Sequence, residues 1–323
     1  MPQNTITLTQ VAELSDAYGP QLAFSPGGQI WAAVDGGLIH LWEDLQLLQT
    51  ISLPGGAPGP IHFSADGRAL FAGTAIIDLD RQQPQPLPPL AESLIAGLDP
   101  QTGPRPDQFE VNGASWSPDG SELVVYTQYR PLRRIDAGSG YSGPQHRLLH
   151  LNGRSRALIR VLWEETSHEE LKTIAVSQRY IAAGGETIRV WERQSGRQVA
   201  NLAGHSTAVR DLRFSPDGAH LASAGWDALV VVWDTARWQP LAQWTAHEDY
   251  ATVVAFHPQQ PILATGGGDD QLKLWGLAAD PPLLTSSTLD GYVEGAAFHP
   301  AGRRLVVAAG LDDEALFIFE VKV

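Results

Sequence analysis

His205, Ser223 and Asp227 are the residue types that nucleophilic hydrolysis uses, and the set returns 42 residues later as His247, Thr265 and Asp269. A hydroxyl attacks a carbonyl when an imidazole takes its proton, a carboxylate orients that imidazole, and an open oxyanion site stands alongside. Two copies at one spacing argue for a repeated scaffold instead, since a catalytic centre needs only one. Gly138-Ser-Gly140-Tyr-Ser-Gly143 matches the dinucleotide pattern G-x-G-x-x-G. A phosphate cradle of that kind opens a helix after a buried strand, whereas this run leads into Pro144 inside an irregular segment. Gly266-Gly267-Gly268 is followed by Asp269 and Asp270, whose charge would repel a phosphate. The ten histidines show no H-E-x-x-H or other tight ligand spacing, and the chain has no cysteine for a thiolate or a disulfide. No catalytic residue, metal or cofactor is expected.

The elements that must position these residues repeat with them. Phe214 and Trp233 recur as Phe256 and Trp275, and Phe256 recurs again as Phe298. Types returning at one spacing mark one structural unit copied in tandem. The unit reads Gly204-His205, an alternating strand, Phe-Ser-Pro-Asp-Gly at Phe214 to Gly218, a second strand, an Asp in a tight turn, and a third strand ending in Trp233-Asp234. Variants of the Phe landmark begin at Phe24, Phe63, Trp116, Phe256 and Phe298, which makes six copies. A seventh lies within Thr173 to Glu192, which has the strand pattern and Trp191 but no proline turn. Pro lacks a ladder donor and Gly accepts a positive φ, so each landmark marks a turn between first and second strands. Runs such as Val230 to Trp233 and Leu272 to Trp275 are short, β-branched or aromatic, and read as strands. No apolar period of 3.6 residues is evident.

This pattern resembles the WD-repeat family of β-propellers, in which each repeat builds a four-stranded blade. The resemblance implies an all-β, seven-bladed β-propeller of four-stranded antiparallel blades. It is plainest in blades 5 and 6 and weakest in blade 2, where Ala75-Ile-Ile-Asp-Leu lacks the Trp. Phe319-Glu320 takes the place of Trp-Asp in the last repeat, so its missing outer strand is expected from Thr5 to Leu8, closing the ring. In the family the His, Ser or Thr, Asp and strand Trp form a hydrogen-bonded tetrad within a blade. Here that implies structural tetrads His205, Ser223, Asp227, Trp233 and His247, Thr265, Asp269, Trp275. His257 and His299 stand where Ser215 stands and read as turn residues.

A chain of 323 residues exceeds one ordinary core, yet no linker divides it, so a single propeller domain over 1–323 is expected. A net charge of −14 disfavours nucleic acid and anionic lipid. No apolar stretch approaches the roughly 20 residues of a membrane helix, and the N-terminus lacks a basic segment followed by an apolar run. The default expectation is a cytoplasmic, monomeric propeller.

Family geometry places two insertions around blade 3, residues 98–108 and 130–147, on the top face, where loops between blades and loops between second and third strands emerge. Arg130, Arg133, Arg134 and Arg147, with Tyr129 and Tyr141, would there read carboxylates or a phosphorylated peptide. Arg154 and Arg156 follow the Asn152-Gly153 turn and belong to the opposite face or outer edge. Six residues before their landmarks, Tyr18, Tyr250 and Tyr292 form an aromatic row across blades 1, 6 and 7, extended by Trp226. The aligned residues elsewhere are Ala57, Glu110, Glu170 and Ala208. Family resemblance and the enrichment of Tyr and Trp at hot spots imply a scaffold that binds a protein partner, acidic or phosphorylated, through this face. An enzyme or small-ligand site in the central channel, with inward His62 and Asp211, and a structural subunit of a permanent complex are the competing readings.

Overall fold

A computed structural model describes residues 6–14, 19–35, 37–52, 60–85, 88–96, 98, 105, 108–129, 144–166, 169–278, 280–310 and 315–322. Among the described residues, twenty-eight strands form seven four-stranded antiparallel sheets. Blade 5 is typical, with Val209–Phe214 innermost, then His220–Gly225, Leu229–Asp234 and the outer Gln239–Thr245. Blade 6 repeats it from Ala251–Phe256 to Leu283–Thr288. Blade 2 is the slightest, its first and fourth strands only His62–Phe63 and Gln83–Pro84.

Seven hydrophobic clusters, one at each contact between neighbouring blades, replace a single core. The third strand of blade 5 shows why its sequence is apolar without alternation. Val231 and Trp233 face the cluster shared with blade 4, while Val230 and Val232 face the one shared with blade 6. Successive residues point to opposite sides of a sheet, so a strand covered on both sides must be apolar throughout.

Blade 7 consists of Tyr292–Phe298, Arg304–Gly310, Ala315–Lys322 and Thr7–Leu14. The closing strand pairs antiparallel with the last one, from Thr7 opposite Lys322 to Leu14 opposite Leu316. Closure by the N-terminal segment is thus observed, with a longer strand than Thr5 to Leu8.

Two expectations around blade 3 are corrected. The segment before it contains a short helix, Ala91–Ile95, so the departure from the repeat begins ahead of residue 98. Its third strand begins at Gln145, which puts Arg147 inside a strand and not in a loop.

Four of the seven innermost strands share an irregularity. Their ladders shift by one residue in blades 3, 5, 6 and 7, leaving Asn112, Arg210, Thr252 and Glu294 as the extra residues. A bulge of this kind re-aims the unpaired residue's side chain, here beside the central channel.

Candidate partner-binding face

In blade 6 the Trp275 indole N–H donates to Thr265 Oγ1 at 2.9 Å, Thr265 Oγ1 lies 2.9 Å from His247 Nε2, and His247 Nδ1 lies 2.7 Å from Asp269. Indole only donates, so the threonine proton points to Nε2, and Nδ1–H donates to the carboxylate. Burial holds His247 below the usual imidazole value, consistent with that neutral form. Asp269 also accepts the Glu248 amide and Lys273 Nζ, and Lys273 reaches the Ala246 carbonyl. Blade 5 has the same chain from Trp233 through Ser223 and His205 to Asp227, at 3.1, 2.8 and 2.9 Å. Burial pulls the Asp227 carboxyl upward, but bonds from His205 and the Ser206 amide outweigh it and leave it below the ordinary value. Ser223 and Thr265 are fully buried, so neither hydroxyl can meet a substrate. These chains fix the loops that carry His205 and His247.

Blade 4 fixes the corresponding loop differently. Arg189 grips Glu169 with two bonds of 2.9 and 2.8 Å while lying over Trp163. Arg189 and Lys273 each stand two residues before the strand tryptophan, a register visible in the sequence. Gly266-Gly267-Gly268 makes room for neighbours: a Cβ at these positions would meet Val293, the His247 ring and the Tyr250 ring at 2.3, 2.4 and 2.5 Å.

Tyr250 and Tyr292 meet edge to face with centroids 5.6 Å apart. Burial, the hydrogen bond to Tyr292, and the nearby Asp249 and Glu294 push the Tyr250 phenol up to about 12. Both rings are half-buried, and Trp226 is 50% exposed beneath the Arg210 guanidinium, 5.4 Å away. Tyr18 lies outside the described residues, as do Arg130, Arg133, Arg134 and Tyr141.

Arg147 is not available to a partner. It is 1% exposed and donates to the carbonyls of Leu94 and Ala96 at 2.6 and 2.8 Å, so it holds the end of the short helix against blade 3. Glu164 lies 3.5 Å from its Nε. Tyr129 is likewise buried, against Phe109. Arg156 is buried over Trp116, where burial lowers its guanidinium to about 10, and Arg154 lines a cleft with Asp66 and Asp78 between blades 2 and 3.

On the opposite face His257 Nδ1 accepts the Gln259 and Gln260 amides, and its Nε2–H donates to the Gly302 carbonyl of blade 7. His299 Nδ1 accepts the Ala301 amide. These histidines turn the chain and also join blades. Of the inward candidates, His62 bonds the Ser117 carbonyl of blade 3 and burial lowers it to about 4. Asp211 accepts the Val254 amide of blade 6 and pairs with Arg213.

A channel-mouth cavity of about 110 Å³ lies among the innermost strands, with Gln21, Asn112, Lys172, Arg210, Asp211 and Arg213 in its lining. Among the described residues no helix is long and apolar enough to cross a membrane.

The fold and its tetrads define a seven-bladed β-propeller carrying WD repeats. Residues 196–234 and 238–276 match the WD40 family, described as WD domain, G-beta repeat. Each match takes the outer strand of one blade with the first three strands of the next, the same offset that leaves blade 7 to be completed by Thr7–Leu14. The chain is 40% identical over 81 residues to Nuclear distribution protein nudF 2 of Talaromyces marneffei, an overlap of 22% of this chain and 18% of that protein. It is also 40% identical over 55 residues to Ribosome assembly protein 4 of Chaetomium thermophilum, 16% of this chain and 11% of that one. The chain therefore covers less than a fifth of the length of either relative.

Proposed function

We propose that this protein is a non-catalytic WD-repeat scaffold, a single cytoplasmic and monomeric domain that binds a protein partner through its top face. The observation that carries the reading is the half-buried Tyr250–Tyr292 pair, with exposed Trp226 one blade away. Large, stiff aromatic side chains held in place by their own packing supply contact area at little entropic cost, the property of hot-spot anchors. The relatives' names, a nuclear distribution protein and a ribosome assembly protein, support a role in assemblies. Tyr18 belongs to the same proposed row, and Arg130, Arg133 and Arg134 are proposed to read acidic or phosphorylated groups on the partner.

Affinity capture from a lysate of the source organism, read by mass spectrometry, tests this with Tyr250→Ala/Tyr292→Ala beside wild type. A protein recovered by wild type alone is the expected result, with the variant's unfolding midpoint within a few degrees. Undiminished recovery by the folded variant would refute the rim as the contact.

A further inference from the structure

We infer that the channel mouth on the side of blades 3 to 5 is a binding site for an oxyanion, the carboxylate or phosphate group of a ligand. This site adjoins the aromatic rim at Trp226, over which Arg210 lies, but its donors are other residues, and the inference stands whether or not the rim docks a protein. The chain carries a net charge of −14, yet the cavity lining gathers Lys172, Arg210 and Arg213 against the single carboxylate of Asp211. That carboxylate is already engaged by the Val254 amide at 3.1 Å and by Arg213 Nε at 3.3 Å. Local charge of one sign in a concave site attracts the opposite ion even when the whole molecule repels it.

The donors are also arranged. Asn112 and Arg210 are the bulged residues of their strands, and both line the cavity. A bulge in each of two inner strands thus re-aims an amide and a guanidinium, and both line this one space. Arg210 lies over Trp226, which fixes its plane and leaves its N–H edges unpaired with any carboxylate among the described residues. Arg213 meets Asp211 through Nε, so its two terminal nitrogens remain as donors. Lys172 is shared with Glu170 at 2.6 Å. Planar guanidinium forks match the oxygens of carboxylate and phosphate, and Gln21 adds a neutral amide. A cavity of about 110 Å³ holds several waters or one anion of phosphate size.

The anion can be free or the side chain of an acidic or phosphorylated segment, and one experiment separates these sources. Wild type is titrated at constant ionic strength with inorganic phosphate, with malonate and with a phosphoserine hexapeptide, by calorimetry and by the NMR signal of the Trp226 indole. Saturable one-to-one binding is expected, weakened roughly tenfold or more in Arg210→Gln, the loss of about one charge-assisted contact. Arg303→Gln, the same charge change on the opposite face, is expected to leave affinity unchanged. Binding by the peptide alone, with the same dependence on Arg210, supports the site and makes a partner's side chain the source. No saturation with any probe, or equal weakening in Arg210→Gln and Arg303→Gln, overturns the inference. Unchanged unfolding midpoints exclude misfolding as the cause of a loss.

Discussion

A sealed hydroxyl between an indole N–H and an imidazole ties its strands together. In Thr265→Ala the Trp275 donor and the His247 acceptor are left buried without a partner, which is expected to cost about 2 kcal/mol in denaturant unfolding. A fluorophosphonate probe is expected to leave Ser223 unlabelled, since that side chain is sealed. The same physics sets the response to acid. Burial lowers His62 to about 4 and depresses His247, His257 and His299. A group whose pKa is lower folded than unfolded contributes its full stability above the unfolded value, here 6.5, and loses it as pH falls through the folded value. The midpoint of thermal unfolding is therefore expected to be level above pH 7 and to fall between pH 6.5 and about 4. Asp227 and Asp269, also depressed, add to the loss only below 3.8. A scan level down to pH 4 would contradict this assignment of neutral histidines. Arg147 shows what sequence does not disclose at this scale. In an arginine-rich run it reads as a ligand contact, but its acceptors are carbonyls about fifty residues earlier, and no residue type advertises a free carbonyl.

At the scale of elements, strands and turns were legible because their chemistry is local. A proline and a glycine stop a strand wherever it goes, and an apolar run covered on both faces keeps its composition. The five-residue helix Ala91–Ile95 is too short to show a 3.6-residue period, and the inner-strand bulges leave no mark on composition, so both came only with the fold. The turns between first and second strands allow a matched test. Gly218 and Gly302 have φ of 70° and 72°, but a Cβ at Gly218 meets nothing within 4 Å, whereas one at Gly302 meets the His257 ring at 2.3 Å. Gly218→Ala is expected to cost about 1 kcal/mol for the backbone alone, and Gly302→Ala about twice that or more. Equal losses in chemical denaturation would mean that the His257 ring yields freely and that its contact with Gly302 adds little to stability.

For the whole molecule, the core of the described residues is divided into seven clusters, so each blade is held by its two neighbours and no central core is needed. The repeat announced the ring, and the offset between repeat and blade announced its closure. The anion site had no such signal, because it is made by single residues from several blades. Removing residues 1–14 uncovers the edge of the strand Ala315–Lys322 and is expected to lower the unfolding midpoint by on the order of 10 °C. Loss of only a degree or two would mean the ring holds without its closing strand. That strand also fixes an order in time. During synthesis Thr7–Leu14 is made before its partner Ala315–Lys322, so it stays an unpaired strand until that partner has been made. Six blades can assemble while it waits, and the joining step carries the entropy of closing the chain through all six into a loop. Synthesis of Ala315–Lys322, and not the formation of any of the six blades before it, is then the event that shelters this edge.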